Sequence, residues 1–552
     1  MKRQFSFFVA VVVTFLTILN CAKTGSPDGG PKDETPPVVE REDPPNGTVN
    51  FEGDRIRIYF DEFIKLNDVQ KQLIVSPPLK NAAEISPQGS PRKYVEIKIN
   101  DTLQANTTYV FNFGQSIVDN NENNPFEFYK YVFSTGDYID SLTLGGMVQD
   151  ALQKDPDQFI SVMLYAVDST YNDSIVYKKV PNYITNTLDS TITFQLTNIR
   201  EGKYKLVAIK DDASNNLYEP KDDKIGFVEE EISIPTDSLY LVTLFKEILP
   251  FRATTPSLVS GNRIIFGYEG PVEKMNIKLL TQVSDSFDYK VVPDPVRDSL
   301  FYWFKGAPKD SIQFELPSAD TTIVQTLFFK ELANDTLVLQ PNQSRTLSLK
   351  KPFFIQSTTP ITSLDTTKIT FFDRDSVVVP YQASIDSIGT KVDFNFERDF
   401  EKGYQLTLFP EAITDFFGET NDTLVFNLST KKLADFGTLK VTLKEVESYP
   451  IIIQVTNESE EVVDELFVNE EAASYYFDQL DPATYFIRII YDNNGNGTWD
   501  TGNYLKKIQP ERIIYNPTPL EVRANWDWTQ ELTMTPKSFP DPAETEVVRD
   551  SI

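Results

Sequence analysis

The chain has 552 residues, a formal net charge of −29 and no histidine. At roughly 100 to 200 residues per domain, this length implies several domains. The acidic balance argues against nucleic acid as a partner, because binding to phosphate backbones depends on clustered Lys and Arg. The lack of histidine excludes Ser-His-Asp and Cys-His catalysis and His-ligated zinc. No carboxylate pair stands out among the 81 acidic residues. We therefore assign no catalytic residue and expect a non-enzymatic protein.

The N-terminus has the layout of a secretory signal. A positively charged start and an apolar run over residues 5–19 precede Cys21, the only cysteine of the chain. This apolar run is shorter than the roughly 20 residues that a membrane-spanning helix needs. Residues 18–21 resemble a lipobox, although Asn20 stands where a small residue is usual. We expect a lipoprotein signal peptide over 1–20 and lipidation of Cys21. An uncleaved anchor and a simple secreted protein are the alternatives.

Two segments cannot build a core. Residues 21–37 are rich in Gly, Pro and small polar residues, which is typical of a flexible tether. Residues 537–552 are polar and contain Pro, which predicts a disordered tail.

Between these ends the apolar residues alternate with polar ones. Residues 55–58, 95–99 and 109–113 all show this period of two, and clusters of Asn, Asp, Gly and Pro separate such runs. Short strands at this spacing indicate β-sandwiches. The predicted fold is therefore all-β, with tandem β-sandwich domains in an elongated array.

The sequence also contains two kinds of internal repeat. The first kind relates 95–99 to 392–396 and 106–121 to 402–417. The second kind relates 196–211 to 477–492 without a gap, so that Tyr204 and Tyr485 each precede an Asp by seven residues. The order is one unit of each kind, an intervening stretch, and both units again.

The first kind of unit resembles the bacterial Ig-like domain of S-layer proteins, of the SbsA type. The matching motifs are PPNG at 44–47, IRIYFDEF at 56–63, VSPP at 75–78 and the IVD at 117–119. The second kind resembles prealbumin-like or collagen-adhesin B-type modules, through Gly145-Gly146 and Gly202-x-Tyr204. With the lipobox and spacer, the whole resembles Bacteroidota lipoproteins with Ig-like domains, which implies a structural or binding role.

These comparisons predict five domains. Their limits are 38–138 for the Ig-like domain, 139–247 for the prealbumin-like domain, 248–350 for a divergent β-sandwich, 351–434 for the second Ig-like unit and 435–536 for the second prealbumin-like unit. We expect a lipid-anchored scaffold, structural or adhesive, in the outer membrane, on either its periplasmic or its surface face. The alternative is an accessory component of an outer-membrane assembly that binds a glycan or an envelope protein.

An Asn- and Gly-rich segment has the spacing of a calcium loop. Counting from Asp492 as position one, oxygen ligands fall at positions three, five, seven and nine: Asn494, Asn496, Thr498 and Asp500. Position twelve is Asn503 in place of the usual Glu, and no helix pattern flanks the loop. This segment is therefore interpreted either as a Ca²⁺ site or as a hairpin turn.

A further pattern is Asp followed by Ser or Thr and then an aliphatic residue or Thr. It resembles the O-glycosylation sequon of exported Bacteroidota proteins, in which the hydroxyl after the Asp is the acceptor. The candidate acceptors, which should lie on the surface, are Thr102, Ser141, Ser238, Ser299, Thr336 and Thr423. The alternative is structural, because Asp-Ser and Asp-Thr close turns before strands.

Aromatic residues are the last candidates. Trp499, Trp526 and Trp528 lie in the final domain, and 302–304 reads Tyr-Trp-Phe. Aromatic rings can stack on sugars, so these positions suggest a glycan-binding face. Aromatic residues at alternating positions are more often part of a core.

Overall fold

The computed structural model describes residues 33–155, 157–187, 192–306, 310–318 and 321–534. Within them, 42 strands account for nearly all regular structure, and the one α-helix, α1 (Val69–Gln72), is a single turn. Short 3-10 turns lie at Asp173–Tyr177, Val272–Lys274, Thr366–Lys368 and Leu433–Asp435. The predicted all-β class is therefore confirmed. Cys21, the predicted signal peptide and the predicted tail lie outside the described residues.

The first unit is a sandwich of a five-stranded and a three-stranded sheet. Its strands are β1 (Val39–Asp43), β2 (Arg55–Leu66), β3 (Ile74–Ser76), β4 (Glu84–Ser86), β5 (Arg92–Lys98), β6 (Thr108–Asn112), β7 (Ile117–Asp119) and β8 (Lys130–Ser134). Alternation places Ile56, Ile58 and Phe60 of β2 in the core, while Arg57 points outward to Glu96 at 2.6 Å.

The second unit has a five-stranded and a three-stranded sheet. Its strands are β9 (Leu142–Asp150), β10 (Ser161–Ala166), β11 (Tyr183–Asn186), β12 (Thr193–Ile199), β13 (Gly202–Lys210), β14 (Lys224–Phe227), β15 (Ile232–Ile234) and β16 (Tyr240–Leu244). The order is β11-β10-β13-β14 in one sheet, with β15 also on β13, and β12-β9-β16 in the other. The last strand of the unit, β16, pairs in parallel with the first, β9.

The third unit is one continuous eight-stranded sheet. Its strands are β17 (Arg252–Ala253), β18 (Ser257–Ser260), β19 (Arg263–Glu269), β20 (Lys278–Leu279), β21 (Asp288–Pro293), β22 (Ser299–Lys305), β23 (Ser311–Ser318) and β24 (Thr321–Phe328). The sheet folds over its own core, where the ring of Phe266 on β19 meets that of Phe314 on β23 at 4.9 Å. The two separate sheets of the expected sandwich are thus joined, because β17 pairs with both β19 and β23.

The fourth unit packs two four-stranded sheets and one two-stranded sheet around a single core. Its strands are β25 (Leu339–Pro341), β26 (Thr346–Leu347), β27 (Phe353–Ser357), β28 (Ile361–Leu364), β29 (Ile369–Asp373), β30 (Tyr381–Ile385), β31 (Lys391–Phe396), β32 (Gly403–Leu408), β33 (Ile413–Asp415) and β34 (Leu424–Thr430). The boundary expected at 350 is too late, because β25 pairs with β27 and β26 pairs with β34.

The fifth unit repeats the topology of the second. Its strands are β35 (Gly437–Lys444), β36 (Ile451–Thr456), β37 (Val462–Val468), β38 (Tyr475–Leu480), β39 (Ala483–Tyr491), β40 (Ile513–Tyr515), β41 (Leu520–Val522) and β42 (Asp527–Thr533). One sheet has the order β37-β36-β39-β40, with β41 also on β39, and the other has the order β38-β35-β42. Even a side-chain bond recurs: Tyr204 donates to the carbonyl of Arg200 at 2.9 Å, and Tyr485 donates to that of Asp481 at 2.8 Å.

Successive units touch one another along the chain. Representative contacts are Ile184 with Ser76, Lys221 with Glu269, Trp303 with Phe417 and Lys350 with Asp464. The fifth unit also returns to the second, where Tyr504 joins an apolar cluster. The second to fifth units therefore close into a ring of contacts. This corrects the elongated row expected from the sequence, because the loop after β39 packs against a unit more than 250 residues away.

Candidate functional site

The predicted calcium loop follows β39 directly and is organised by Asp492. This buried carboxylate accepts the backbone N–H groups of Asn496 at 3.1 Å and Gly497 at 2.9 Å. Gly497 has a φ of 79°, in the left-handed region that favours glycine. The loop is thus a turn closed by its own first residue.

The remaining predicted ligands lie in the same loop. The side-chain amides of Asn494 and Asn496 both donate to Asp500, the latter at 2.8 Å, and Thr498 donates to Asn496 at 2.9 Å. The amide nitrogens, which cannot bind a cation, therefore face the Asp500 carboxylate. In the described part of the chain, no group of three or more Asp, Glu, His or Cys side chains is placed to hold a metal. The Ca²⁺ site stays a prediction.

A second buried acid, Glu511, supports this loop. One carboxylate oxygen accepts the N–H of Asn493 at 2.6 Å and the other accepts that of Asp500 at 3.1 Å. Burial raises the pKa of Glu511 above its ordinary value, and the two N–H groups oppose this rise. The sequence offered no signal for this role, because Glu511 lies eleven residues beyond Asp500 and fits no ligand spacing.

The second unit builds the equivalent loop in the same way. Asp211 accepts the N–H groups of Asn215 at 3.3 Å and Asn216 at 2.6 Å. The buried carboxylate of Asp223 accepts the N–H groups of Asp212 at 3.1 Å and Glu219 at 2.8 Å. These donors follow Asp211 by the same intervals as those that follow Asp492. The repeat therefore extends beyond the strands into the loop and its supporting acid.

The segment after the loop forms the contact with the second unit. Tyr504 is only 2% exposed, and its ring centroid lies 5.3 Å from that of Phe227. Its backbone N–H donates to Glu247 at 2.7 Å, and Thr501 donates to the carbonyl of Lys246 at 2.6 Å. Gln509 donates to the carbonyl of Phe227 at 3.0 Å. The hydroxyl of Tyr504 itself is buried and has no hydrogen-bond partner among the described residues. A buried ring bordered by hydrogen bonds between the two units is nevertheless typical of a specific interface.

Polar and cationic contacts extend this interface. The ammonium group of Lys154 lies 4.6 Å from the ring centroid of Phe486, and its backbone N–H donates to Glu460 at 3.2 Å. Lys507 forms an ion pair with Asp173 at 3.5 Å. The interface thus involves several parts of both units.

Trp526 and Trp528 line an open cavity of about 340 Å³ at one end of the fifth unit. The cavity lies between β42 of one sheet and β41 of the other, and Trp526 is 56% exposed. Glu521 and Arg523, paired at 3.0 Å, border it together with Thr484. Two indole rings beside hydrogen-bonding side chains are an arrangement that can hold a sugar ring.

The other aromatic candidates are structural. Trp499 donates to the carbonyl of Glu511 at 3.0 Å and packs against the cluster around Tyr504. Tyr302, Trp303 and Phe304 are all buried. These rings are therefore core residues.

The predicted glycosylation acceptors divide into two groups. Those that are exposed are Thr102, Ser141, Ser238, Thr336 and Thr423. Ser299 is only 3% exposed and donates to Asp294 at 3.1 Å. Because it begins the buried part of β22, Ser299 offers no surface hydroxyl, which contradicts its selection as an acceptor.

One family model matches the chain: residues 33–135 match a bacterial Ig-like domain. No curated protein matches the chain. The described residues contain no helix that is long and apolar enough to cross a membrane.

Solved structures with similar parts include surface-layer and pilus proteins. Surface layer protein SbsC, domains 1–6, is 11% identical over 83% of this chain, with a TM-score of 0.14. The match spans 66% of that structure. BcpA, the major pilin subunit of Bacillus cereus, is 8% identical over 71% of this chain and 99% of its own, also with a TM-score of 0.14. Titin domains A168–A170 are 9% identical over 50% of this chain and 97% of their own, with a TM-score of 0.12. At TM-scores this low, the similarity concerns the β-sandwich fold of single domains and not the arrangement of the domains or the role of the protein.

The fold and the family match together define the class. The chain is a multi-domain all-β protein, and its first unit is similar to bacterial Ig-like domains.

Proposed function

We propose that the chain is a non-enzymatic scaffold of the bacterial cell envelope, anchored to the outer membrane by lipid on Cys21. The charged start, the short apolar run and the lipobox-like residues before Cys21 support the anchor. The Gly- and Pro-rich residues 21–32 would act as the tether between the lipid and the first unit. The expected tether of 21–37 is too long, because Asn124 of the first unit donates to the carbonyls of Asp33 at 3.0 Å and Thr35 at 3.2 Å, and Pro37 is buried.

The closure between the second and fifth units is the observation that carries the scaffold proposal. Domains within one chain move relative to one another unless their interface is extensive and apolar. Here Trp499 and Tyr504 of the fifth unit pack into an apolar cluster of the second unit, next to Phe227 and Phe245. Contacts at both ends hold the intervening units in one arrangement. A scaffold that presents binding faces needs this fixed geometry.

Cell fractionation and intact-mass spectrometry test the anchor. Wild-type protein from the membrane fraction should begin at Cys21 and carry added acyl mass. Cys21→Ser should leave the membrane fraction, whereas the matched control Ala22→Ser, which keeps the thiol, should remain there. A wild-type chain that begins at Met1 without added mass would contradict the proposal.

A second candidate function is glycan binding by the cavity at Trp526 and Trp528. The exposure of Trp526 favours it, because an apolar ring of this size in water gains by stacking on a sugar. Native affinity electrophoresis with laminarin, a mannan and soluble peptidoglycan fragments tests it. Retardation by one of these that is lost in Trp526→Ala, but kept in the exposed control Tyr476→Ala, would support binding. Equal mobility with all three would contradict it.

A further inference from the structure

One edge of the third unit is an unpaired strand without charge. Strand β24 pairs with β23 along its whole length, from Thr321 opposite Ser318 to Phe328 opposite Ser311. Its other side pairs with no strand in the described part of the chain. In an antiparallel pair, alternate residues of an edge strand point their N–H and C=O groups away from the partner. These groups form a ready template for another strand.

The side chains of β24 differ from those of the charged edge strands β37 and β42, whereas the edge strands β12 and β30 also carry no charge. Residues 321–328 read TTIVQTLF, with no charged residue and no Pro. Edge strands β37 and β42 each carry two carboxylates within seven residues. Charges on an edge strand keep other strands away. Strand β24 lacks this protection in a chain in which 24% of residues are charged.

The outer face of β24 is also apolar and accessible. Val324 is 57% exposed and Phe328 is 68% exposed, and Thr322 and Thr326 alternate with them on the same face. The opposite face turns inward and buries Leu327. A strand that joined this edge would extend a sheet whose inner face is already packed.

We propose that β24 pairs with β24 of a second copy of this chain, antiparallel about a two-fold axis at Gln325. Two copies that each carry a charge of −29 repel one another, and an uncharged edge is where this repulsion opposes contact least. The axis places Thr322 of one copy opposite Phe328 of the other, and Val324 opposite Thr326. Both pairs keep outer-face residues together, and they combine β-branched and aromatic side chains, which stabilise cross-strand contacts. The pairing uses the free edge of β24 in each of the two copies, so no third copy can add to it and the assembly ends at a dimer.

The dimer is tested on the full chain carrying Cys21→Ser, by light scattering over a concentration series. The mass should rise from one copy to two. Val324→Lys should weaken this association at least about tenfold, because like charges then meet across the interface. Within one copy the new Lys lies opposite Glu315 on β23, so the fold should tolerate it. Val425→Lys, a matched change at an exposed valine of β34, should associate like the parent. A single-copy mass at every concentration, or equal association of Val324→Lys and the parent, overturns the proposal.

Oxidative cross-linking tests the axis. Gln325→Cys in the Cys21→Ser background places two thiols opposite each other, within the Cα separation that a disulfide spans. It should give a reducible dimer. Thr322→Cys faces Phe328 of the second copy and should not. Failure of Gln325→Cys to cross-link overturns the pairing about Gln325.

Discussion

The ring of Tyr504 in the fifth unit packs edge-to-face on Phe227 of the second unit, with centroids 5.3 Å apart and planes at 79°. This geometry is one that aromatic pairs favour. The two residues are 277 positions apart in sequence, yet both belong to one buried cluster. The contact therefore links two units that the chain order separates by two others.

Tyr504→Ala should destabilise the chain by about 3–5 kcal/mol, because it leaves a cavity among buried rings. Tyr504→Phe keeps the ring and serves as the matched control. Denaturant unfolding measures the loss, and small-angle X-ray scattering should show a larger radius of gyration for Tyr504→Ala only. Identical scattering from both variants would contradict the role of Tyr504 in closing the ring of units.

Asp119 should give the first unit a pH-dependent stability. Burial pulls the pKa of Asp119 upward, but the backbone N–H groups of the loop after it together hold the pKa below its ordinary value. A carboxyl group with a lowered pKa adds stability above its unfolded pKa and loses this contribution as the pH falls through the folded pKa.

The experiment is thermal or denaturant unfolding of Asp119→Asn between pH 7 and pH 3. At neutral pH the variant should be less stable by roughly 1–3 kcal/mol, and the difference should shrink below about pH 4. The exposed Asp137→Asn should show no such loss. A penalty for Asp119→Asn that stays constant down to pH 3 would refute the assigned cause.

The calcium loop has a direct test. Extracellular sites of this type bind with dissociation constants of about 0.1–1 mM, so about 10 mM Ca²⁺ should stabilise the folded chain by about 1–3 kcal/mol. Asp500→Asn should abolish this gain, and Mg²⁺ at the same concentration should not reproduce it. If the melting temperature is the same with Ca²⁺ and with a chelator, the segment is only the turn that Asp492 closes.

Among the predicted Ser and Thr acceptors, only those whose side chains are exposed should be glycosylated. Peptide mass spectrometry of protein from its native membrane should find sugar-sized additions on peptides that contain Thr102, Ser141, Ser238, Thr336 or Thr423. The peptide with Ser299 should be unmodified, because its hydroxyl is buried and bonded. Unmodified peptides at all five exposed positions would leave the Asp-Ser and Asp-Thr pairs with their structural role alone. Asp101 already shows such a role, since it accepts the N–H of Thr102 at 2.8 Å.

The local pattern of apolar and polar residues in the sequence predicted the strands well, but it did not predict the contacts between units. In β2 and β5 the period-two alternation matches the buried positions, because side chains in a strand alternate between faces. The sequence also brought together the residues of the loop from Asp492 to Asp500, because they lie within nine consecutive positions. Glu511 was missed because it lies at the far end of the same connection, eleven residues beyond Asp500 and just before β40. Ser299 was misjudged because a local triplet cannot tell a turn on the surface from the start of a buried strand.

The sequence by itself determined the all-β class and the two kinds of repeat, because alternation and turn residues act over a few neighbouring positions. Tertiary structure alone decided that β25 and β26 belong with the fourth unit, that Asp223 and Glu511 support equivalent loops, and that Tyr504 is buried in the second unit. These features depend on which surfaces meet after the strands have formed. Packing between distant segments is set by shape and burial, which a single sequence does not display.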